Sequence, residues 1–260
     1  MFKNIIKILV WVFLISVWLF SSAFVLESYQ KIQVKKINVS FINDNNHSFI
    51  TKTEIIEILS SFGVTTNDND KSSFNIKYLE NKLLMHPAVK VAEIFFNNNG
   101  NLDIIVEKRT PIGRVISSVA EKNFYIDSDG FLMPLCSTYV AKVPLFSGNV
   151  LMPEVLNFYS SEDLKNLNFV KKIYKMAKLI NNDTFLKSQI VQIHIKNNGY
   201  FELIPRIGNQ RILFGKPENM EIKLEKLKCF YTNGPDPKEL NLYDTLNVMY
   251  NDQIVCSKII

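Results

Sequence analysis

Cysteine is scarce in this chain of 260 residues, where it occurs at Cys136, Cys229 and Cys256 alone. No two of these residues form a Cys-x-x-Cys pair, so their spacing gives no support for a structural zinc site or a thioredoxin-like redox site. Two interpretations of the thiols stay open. Either Cys229 and Cys256 form a disulfide in an oxidising compartment, or all three cysteines act as small buried hydrophobic residues.

Recognisable catalytic motifs are missing as well. The three histidines, His47, His86 and His194, fall in three different predicted elements, and none belongs to a metal-ligand spacing such as His-Glu-x-x-His. The chain contains no Gly-x-Ser-x-Gly, Gly-x-Gly-x-x-Gly or P-loop sequence. Asp127–Gly130 resembles the start of a calcium-binding loop, but Thr138 stands where an EF-hand needs Glu, so a turn is the better interpretation. We predict no catalytic residue, cofactor, metal site or small-molecule substrate, and therefore no enzyme.

No part of the chain concentrates charge of one sign. Lys and Arg number 30 against 25 Asp and Glu, and the resulting net charge of +5 comes from residues scattered along the whole sequence. No run of basic residues with interleaved aromatic residues indicates a nucleic-acid-binding face, so no nucleic-acid partner is expected. Apolar residues make up 47% and charged residues 21%, which is the balance of a folded protein.

One long apolar run stands out from this ordinary composition. Residues Ile8–Leu26 contain no charged residue, no Gly and no Pro. As a helix this segment is roughly 28 Å long, about the thickness of the hydrocarbon core of a bilayer. Trp11, Trp18 and Tyr29 are aromatic residues of the kind that favour the membrane interface. We therefore predict a transmembrane helix over Ile8–Leu26, with membrane lipid around it.

A cleaved signal peptide is the competing interpretation of this segment. Lys3 and Lys7 form a basic start, and Ser21–Ala23 is a patch of small residues. The apolar run nevertheless continues past that patch and exceeds the usual length of a signal-peptide core, which favours an uncleaved anchor. We expect residues 1–7 to form a short cytoplasmic tail and the large C-terminal part to lie on the other side of the membrane.

Residues 27–111 predict a first folded unit, with the order β-α-α-β-β. A loosely alternating strand begins near Val34, and Thr51 and Glu54 have the spacing of a capping box that opens a helix. A second helix ends before Pro87, and two strands joined by an Asn- and Gly-rich turn follow. This order buries one face of a sheet under two helices and leaves edge strands available for docking.

Residues 112–260 predict a second unit, a mostly antiparallel β domain with two helices. The helices are expected over Ser161–Ile180, with Ser160 or Ser161 as the cap, and over Pro217–Tyr231. The chain closes with a hairpin that turns around Asn251 and Asp252. Glu107–Arg109, a charged strand end at the junction of the units, is interpreted as solvated. The fold class is therefore α+β.

The order of these segments resembles the FtsQ/DivIB family of bitopic bacterial cell-division proteins. The likeness covers nearly the whole chain and rests on motifs that are specific in combination. In this sequence they are Glu80–Val89 and Val106–Pro111 of a POTRA domain, the Phe124–Gly130 hairpin, the Val143–Gly148 strand, Phe214–Gly215 with the helix that follows, and Leu246–Tyr250. The last segment departs from the family pattern, because Asn247 and Met249 stand in place of the usual Asp and Arg.

The resemblance implies a non-catalytic scaffold of the septal cell-wall machinery. Such a protein sits in the inner membrane at the division septum, recruits FtsB- and FtsL-like partners, and contacts other division proteins through its POTRA domain. Two other classes of protein are alternatives. A membrane-anchored POTRA protein of outer-membrane biogenesis or secretion would normally show repeated POTRA units. A membrane-anchored envelope hydrolase would need a convergent set of polar residues, for which the sequence supplies no candidates.

An open sheet edge at the end of the chain is the predicted means of partner binding. A partner strand added to that edge gains affinity from backbone hydrogen bonds and specificity from alternate side chains. We predict contact through Met249, Tyr250, Gln253 and Val255, whereas Val248 and Ile254 pack inward by the period-2 rule. The alternative is that these last strands only close the core of their own domain.

Overall fold

The computed structural model describes residues 6, 9–21, 34–42, 49–66, 75–97, 99–118, 123–136, 139–150, 168–236 and 238–259. The chain divides into two compact units, Met1–Lys108 and Arg109–Ile260, which are taken in turn.

The N-terminal apolar segment is helical where it is described, over residues 9–21. The hydroxyls of Ser16 and Ser21 donate to the carbonyls of Phe13 and Trp18, in the preceding turn. Within the described part of the chain, no helix has the length and apolar character needed to cross a bilayer. The predicted span Ile8–Leu26 lies partly outside the described residues, as does all of the predicted tail except Ile6.

The first unit confirms the predicted β-α-α-β-β order. Its elements are β1 (Ile37–Ile42), α1 (Lys52–Ser61), α2 (Ile76–Leu84), β2 (Val89–Phe96) and β3 (Leu102–Lys108). The three strands form one sheet in the order β1-β3-β2, with β1 parallel and β2 antiparallel to β3. β2 is therefore an edge strand, and α2 packs close to it.

Local chemistry sets the ends of the two helices. The predicted capping box is confirmed: Glu54 N–H donates to Thr51 Oγ1 at 3.2 Å, and Thr51 N–H donates to Glu54 Oε2 at 2.7 Å. The side chain of Asn75 caps the N-terminus of α2. The helix ends before Pro87, as predicted. The buried residues Ile55, Leu59, Leu79 and Leu83 form the helical side of the core.

The second unit contains nine strands and three α-helices in its described part. The strands are β4 (Pro111–Val115), β5 (Phe124–Asp127), β6 (Leu132–Pro134), β7 (Leu145–Gly148), β8 (Ile190–Ile195), β9 (Phe201–Pro205), β10 (Arg211–Gly215), β11 (Tyr243–Asn247) and β12 (Val255–Lys258). The helices are α3 (Asn168–Asn182), α4 (Thr184–Gln189) and α5 (Met220–Asn233), and a 3-10 turn covers Glu239–Leu242.

All nine strands belong to one sheet with the order β12-β11-β10-β9-β8-β7-β4-β5-β6. Most pairs are antiparallel, as predicted, but β4 with β7, β7 with β8, and β10 with β11 are parallel. Apolar residues of all three helices and of the sheet meet in a single core, with Phe146, Ile173 and Leu227 among its fully buried members. The sheet is therefore held by the packing of its strands against α3, α4 and α5.

The predicted helices of this unit need one addition. α4 was not predicted, because its six residues are too few to show a helical period, although the side chain of Asp183 caps it by accepting from Leu186 N–H. The expected start of the preceding helix, with its cap at Ser160 or Ser161, lies outside the described residues. α5 begins at Met220 and ends at Asn233, slightly later than predicted.

Two expectations about single side chains are wrong. Arg109 is not a solvated strand end, because its side chain is only 12% exposed and pairs with Asp127. The cysteines also differ from both open interpretations: none of the three is in a disulfide, and Cys229 is exposed while Cys136 and Cys256 are partly buried. Cys229 lies on α5, whereas Cys256 packs against the core, and no disulfide joins the two residues.

Candidate partner-binding edge

The last strand of the chain is the outermost strand of the nine-stranded sheet. β12 pairs antiparallel with β11 through Asn247 with Val255, Leu246 with Cys256, and Thr245 with Ser257. No described residue pairs with the opposite side of β12. The sheet therefore ends in an open row of backbone donors and acceptors at this strand.

Two hydrogen bonds show which backbone groups of β12 point outward. Ile259 N–H donates to the carbonyl of Leu242, so Ile259 faces β11, and Val248 N–H donates to Leu213 on the far side of β11. Because N–H and C=O groups alternate sides along a strand, Val255 and Ser257 also face β11. The N–H and C=O groups of Cys256 and Lys258 consequently point away from the sheet.

The side chains of this hairpin divide between the core and the solvent as predicted. Val248 is fully buried, and Ile254 is partly buried against the core of the second unit. Leu246 is buried as well, and Cys256 lies opposite it in the register. The prediction that Val248 and Ile254 pack inward is confirmed.

All four residues predicted to contact a partner are exposed. Met249 is 39% exposed, Tyr250 51% and Val255 43%, and Gln253 is also exposed. Met249 and Tyr250 lie at the start of the connection between β11 and β12, Gln253 lies near its end, and Val255 begins β12 itself. Their role in partner binding stays a prediction.

The connection between the two strands is anchored by two polar side chains. Lys226 of α5 donates to the carbonyl of Tyr250 and, at 3.2 Å, to that of Asn251. Asn247 Oδ1 accepts from Met249 N–H at 3.0 Å. Sequence reasoning missed the role of Lys226, because its carbonyl partners lie more than twenty residues later in the chain. Asn247 makes a bond that the carboxylate of the family's usual Asp could also accept, so that departure preserves the local turn.

Met249 packs over the backbone of Gly215 at the end of β10. Gly215 has a φ of +72°, and a Cβ atom added there would lie 2.6 Å from Met249 Sδ. A residue with a side chain would be strained in this left-handed backbone conformation and would also displace Met249. Glycine at this position therefore lets the connection lie flat against the end of the sheet.

Burial shifts the pKa values of two ionisable groups near this edge. Lys223 Nζ donates to the carbonyls of Phe214 and Lys216 at 3.1 and 2.8 Å, and burial lowers the pKa of this ammonium group below its usual value. Burial raises the pKa of the Cys256 thiol, which favours its neutral form. At this edge the backbone donors and acceptors lie beside the exposed side chains of Val255 and Lys258, an arrangement that suits pairing with an extended peptide.

The opposite end of the sheet is a different kind of edge. β6 is three residues long and ends at Pro134, which has no N–H to donate. β12 contains no proline and carries exposed apolar neighbours. Of the two ends of the sheet, β12 is therefore the better template for an added strand.

The histidines do not contribute to this edge. His86 follows α2, where its Nδ1 accepts from Ala88 N–H at 3.2 Å, and His194 lies on β8; both placements confirm the prediction. His47 lies outside the described residues. Within the described ranges, no group of three or more His, Cys, Asp or Glu side chains is placed to hold a metal ion.

Two family models match the chain, and together they span most of both units. The model described as "FtsQ/DivIB, C-terminal related" matches residues 110–257, more than half of the chain. The model described as "POTRA-like domain" matches residues 33–107. No curated protein matches the chain in a sequence comparison.

Proposed function

The chain belongs to the FtsQ/DivIB, C-terminal related family, and from this premise we propose that it is a division-related scaffold that recruits FtsB- and FtsL-like proteins by strand addition to β12. FtsQ/DivIB and POTRA-like families are generally non-catalytic scaffolds, which supports a binding role over an enzymatic one. In this proposal the protein holds partners at the septum while other proteins carry out the chemistry.

The position of β12 as the outermost strand is the observation that carries the proposal. Cys256 and Lys258 offer outward N–H and C=O groups that an extended partner segment can pair with. Tyr250 and Val255 lie beside that row and are exposed, so they supply side-chain contacts. Lys226 and Asn247 hold the connection in place before binding, which lowers the entropy lost on association.

Membrane anchoring is the second part of the proposal. The apolar segment Ile8–Leu26 would hold the chain in the inner membrane, with the two folded units on the outer side of that membrane. Two proteins anchored in the same membrane meet at high effective concentration, so a modest interface at β12 suffices for assembly. Such an interface also suits a complex that must form and dissolve in every cell cycle.

Capture of an FtsB-like protein from the same organism tests the proposed partner. The variant Y250D/V255D should lose capture at least about tenfold, because a charge at each site must be desolvated on binding. V140D is a matched control, since Val140 is an exposed valine of the same unit that lies between β6 and β7. Unchanged capture by folded Y250D/V255D would rule out this edge, and a fluorescent fusion absent from mid-cell would rule out the division role.

A further inference from the structure

The three-stranded sheet of the first unit has an edge strand whose central N–H is already occupied. Glu80, on α2, accepts a hydrogen bond at Oε1 from the backbone N–H of Ile94, at 3.0 Å. Ile94 is the sixth residue of β2, which is the outer strand beside β3. A side chain from a neighbouring helix therefore takes the place that a strand partner would occupy.

The direction of the backbone supports this interpretation. Asn97 N–H donates to the carbonyl of Asn101 across the β2–β3 turn, so the backbone of Asn97 faces β3. By alternation, Phe95 and Glu93 also face β3, whereas Ile94 and Ala92 face outward. The Glu80 carboxylate thus occupies one of the backbone N–H groups of β2 that point away from β3.

The sequence of β2 explains why such a cap matters. The strand reads VKVAEIFF, in which six residues are apolar, the two charged residues Lys90 and Glu93 have opposite signs, and no proline is present. Val91 and Phe95 are exposed, on the strand face opposite the buried side chains of Ala92 and Ile94. An eight-residue edge of this kind pairs readily with another copy of itself unless something blocks it.

We propose that Glu80 closes the β2 edge to strand pairing, and that its removal lets β2 pair with β2 of a second copy of this chain. An incoming strand would have to displace a charge-assisted hydrogen bond at Ile94. Its carbonyl oxygens would also approach the carboxylate, which repels them. This closure concerns β2 alone, so it does not depend on which partner binds β12 of the second unit.

Sedimentation of the full chain in detergent tests the closure. E80A removes the acceptor and keeps a good helix former, so a concentration-dependent dimer should appear, with a dissociation constant at least about tenfold below that of the parent chain. E80Q keeps a carbonyl oxygen at the same reach and should sediment as the parent chain does. If E80A fails to fold, E80S serves in its place, because its hydroxyl is too short to reach the Ile94 N–H.

A second substitution locates the new contact. A β2–β2 pair would bring the exposed Val91 close to the second strand, where an added charge must be desolvated, so E80A/V91K should return to the parental sedimentation. The Ala92 amide should gain hydrogen-exchange protection as E80A associates. Parental sedimentation of E80A at every concentration would overturn the proposal, and so would equal association of E80A and E80A/V91K.

Discussion

Arg109 Nη1 lies 2.9 Å from Asp127 Oδ2, although the two residues are 18 positions apart in the sequence. The Arg109 side chain is 12% exposed and that of Asp127 is fully buried. Asp127 Oδ1 also accepts from the backbone N–H groups of Asp129 and Phe131, and the Arg109 guanidinium lies 3.8 Å from the centre of the Phe131 ring. This ion pair fixes the β5–β6 turn to the beginning of the second unit.

Removing one partner of this ion pair should destabilise the second unit strongly. R109A leaves the Asp127 carboxylate buried and without its cation, a change that typically costs about 3–5 kcal/mol. Urea unfolding followed by fluorescence measures the loss. K175A is the control, because the Lys175–Glu221 pair of the same unit is exposed on both sides and its loss should hardly affect stability. Equal unfolding midpoints for R109A and K175A would contradict the prediction.

The Arg109–Asp127 ion pair could not be predicted from local sequence patterns. Local patterns predicted the Thr51–Glu54 capping box and the turn at Gly130, because both depend on residues within one turn of each other. The partner of Arg109 depends on how β4 and β5 fold back, which no short window contains. Arg109 was therefore interpreted as a solvated charge.

The candidate edge was predictable in part for the same reason. Period-2 alternation placed Val248 and Ile254 inward, and the structure confirms that placement. The parallel pairing of β10 with β11 and the hold of Lys226 on the connection are contacts between distant segments. Such contacts arise from tertiary packing and leave no local signature in the sequence.

His86 gives the first unit a defined pH dependence. Burial lowers the pKa of the His86 imidazole below its usual value, and the nearby carboxylate of Glu54 opposes this shift only in part. The unfolded chain therefore binds a proton more readily than the folded chain, so stability is present above the unfolded pKa, about 6.5, and is lost as pH falls through it toward the folded pKa.

Comparison with H86Q isolates this effect. The free energy of unfolding of the parent chain should decrease between pH 7.5 and pH 5.5 more than that of H86Q, because the substitution removes the His86 imidazole and leaves the rest of the chain unchanged. Urea titrations at the two pH values provide the measurement. Parallel pH dependence in the two proteins would show that His86 titrates alike in the folded and unfolded chains.

Gly215 should tolerate alanine poorly. G215A imposes a left-handed backbone on a residue with a side chain, which costs about 1–2 kcal/mol, and its Cβ also meets Met249. G199A is the matched control, since Gly199 has a φ of +75° with no atom near an added Cβ. Thermal unfolding should show a larger loss of stability for G215A than for G199A. Adding M249A to both variants should reduce this difference in stability. If G215A and G199A are equally destabilised, the packing of Met249 has no energetic role.

A proline scan of β12 distinguishes strand addition from contact through side chains. The Lys258 N–H points away from β11, so K258P removes a donor that an added strand needs and leaves the β11 pairing intact. K258A loses the same side chain and keeps the N–H, which makes it the matched control. Capture of an FtsB-like partner should fall at least about tenfold in K258P and stay near the parental level in K258A.

S257P removes an inward donor instead, so it should lower the stability of the β11–β12 hairpin as well as capture. Equal capture by K258P and K258A would mean that partners recognise this edge through side chains and do not extend the sheet.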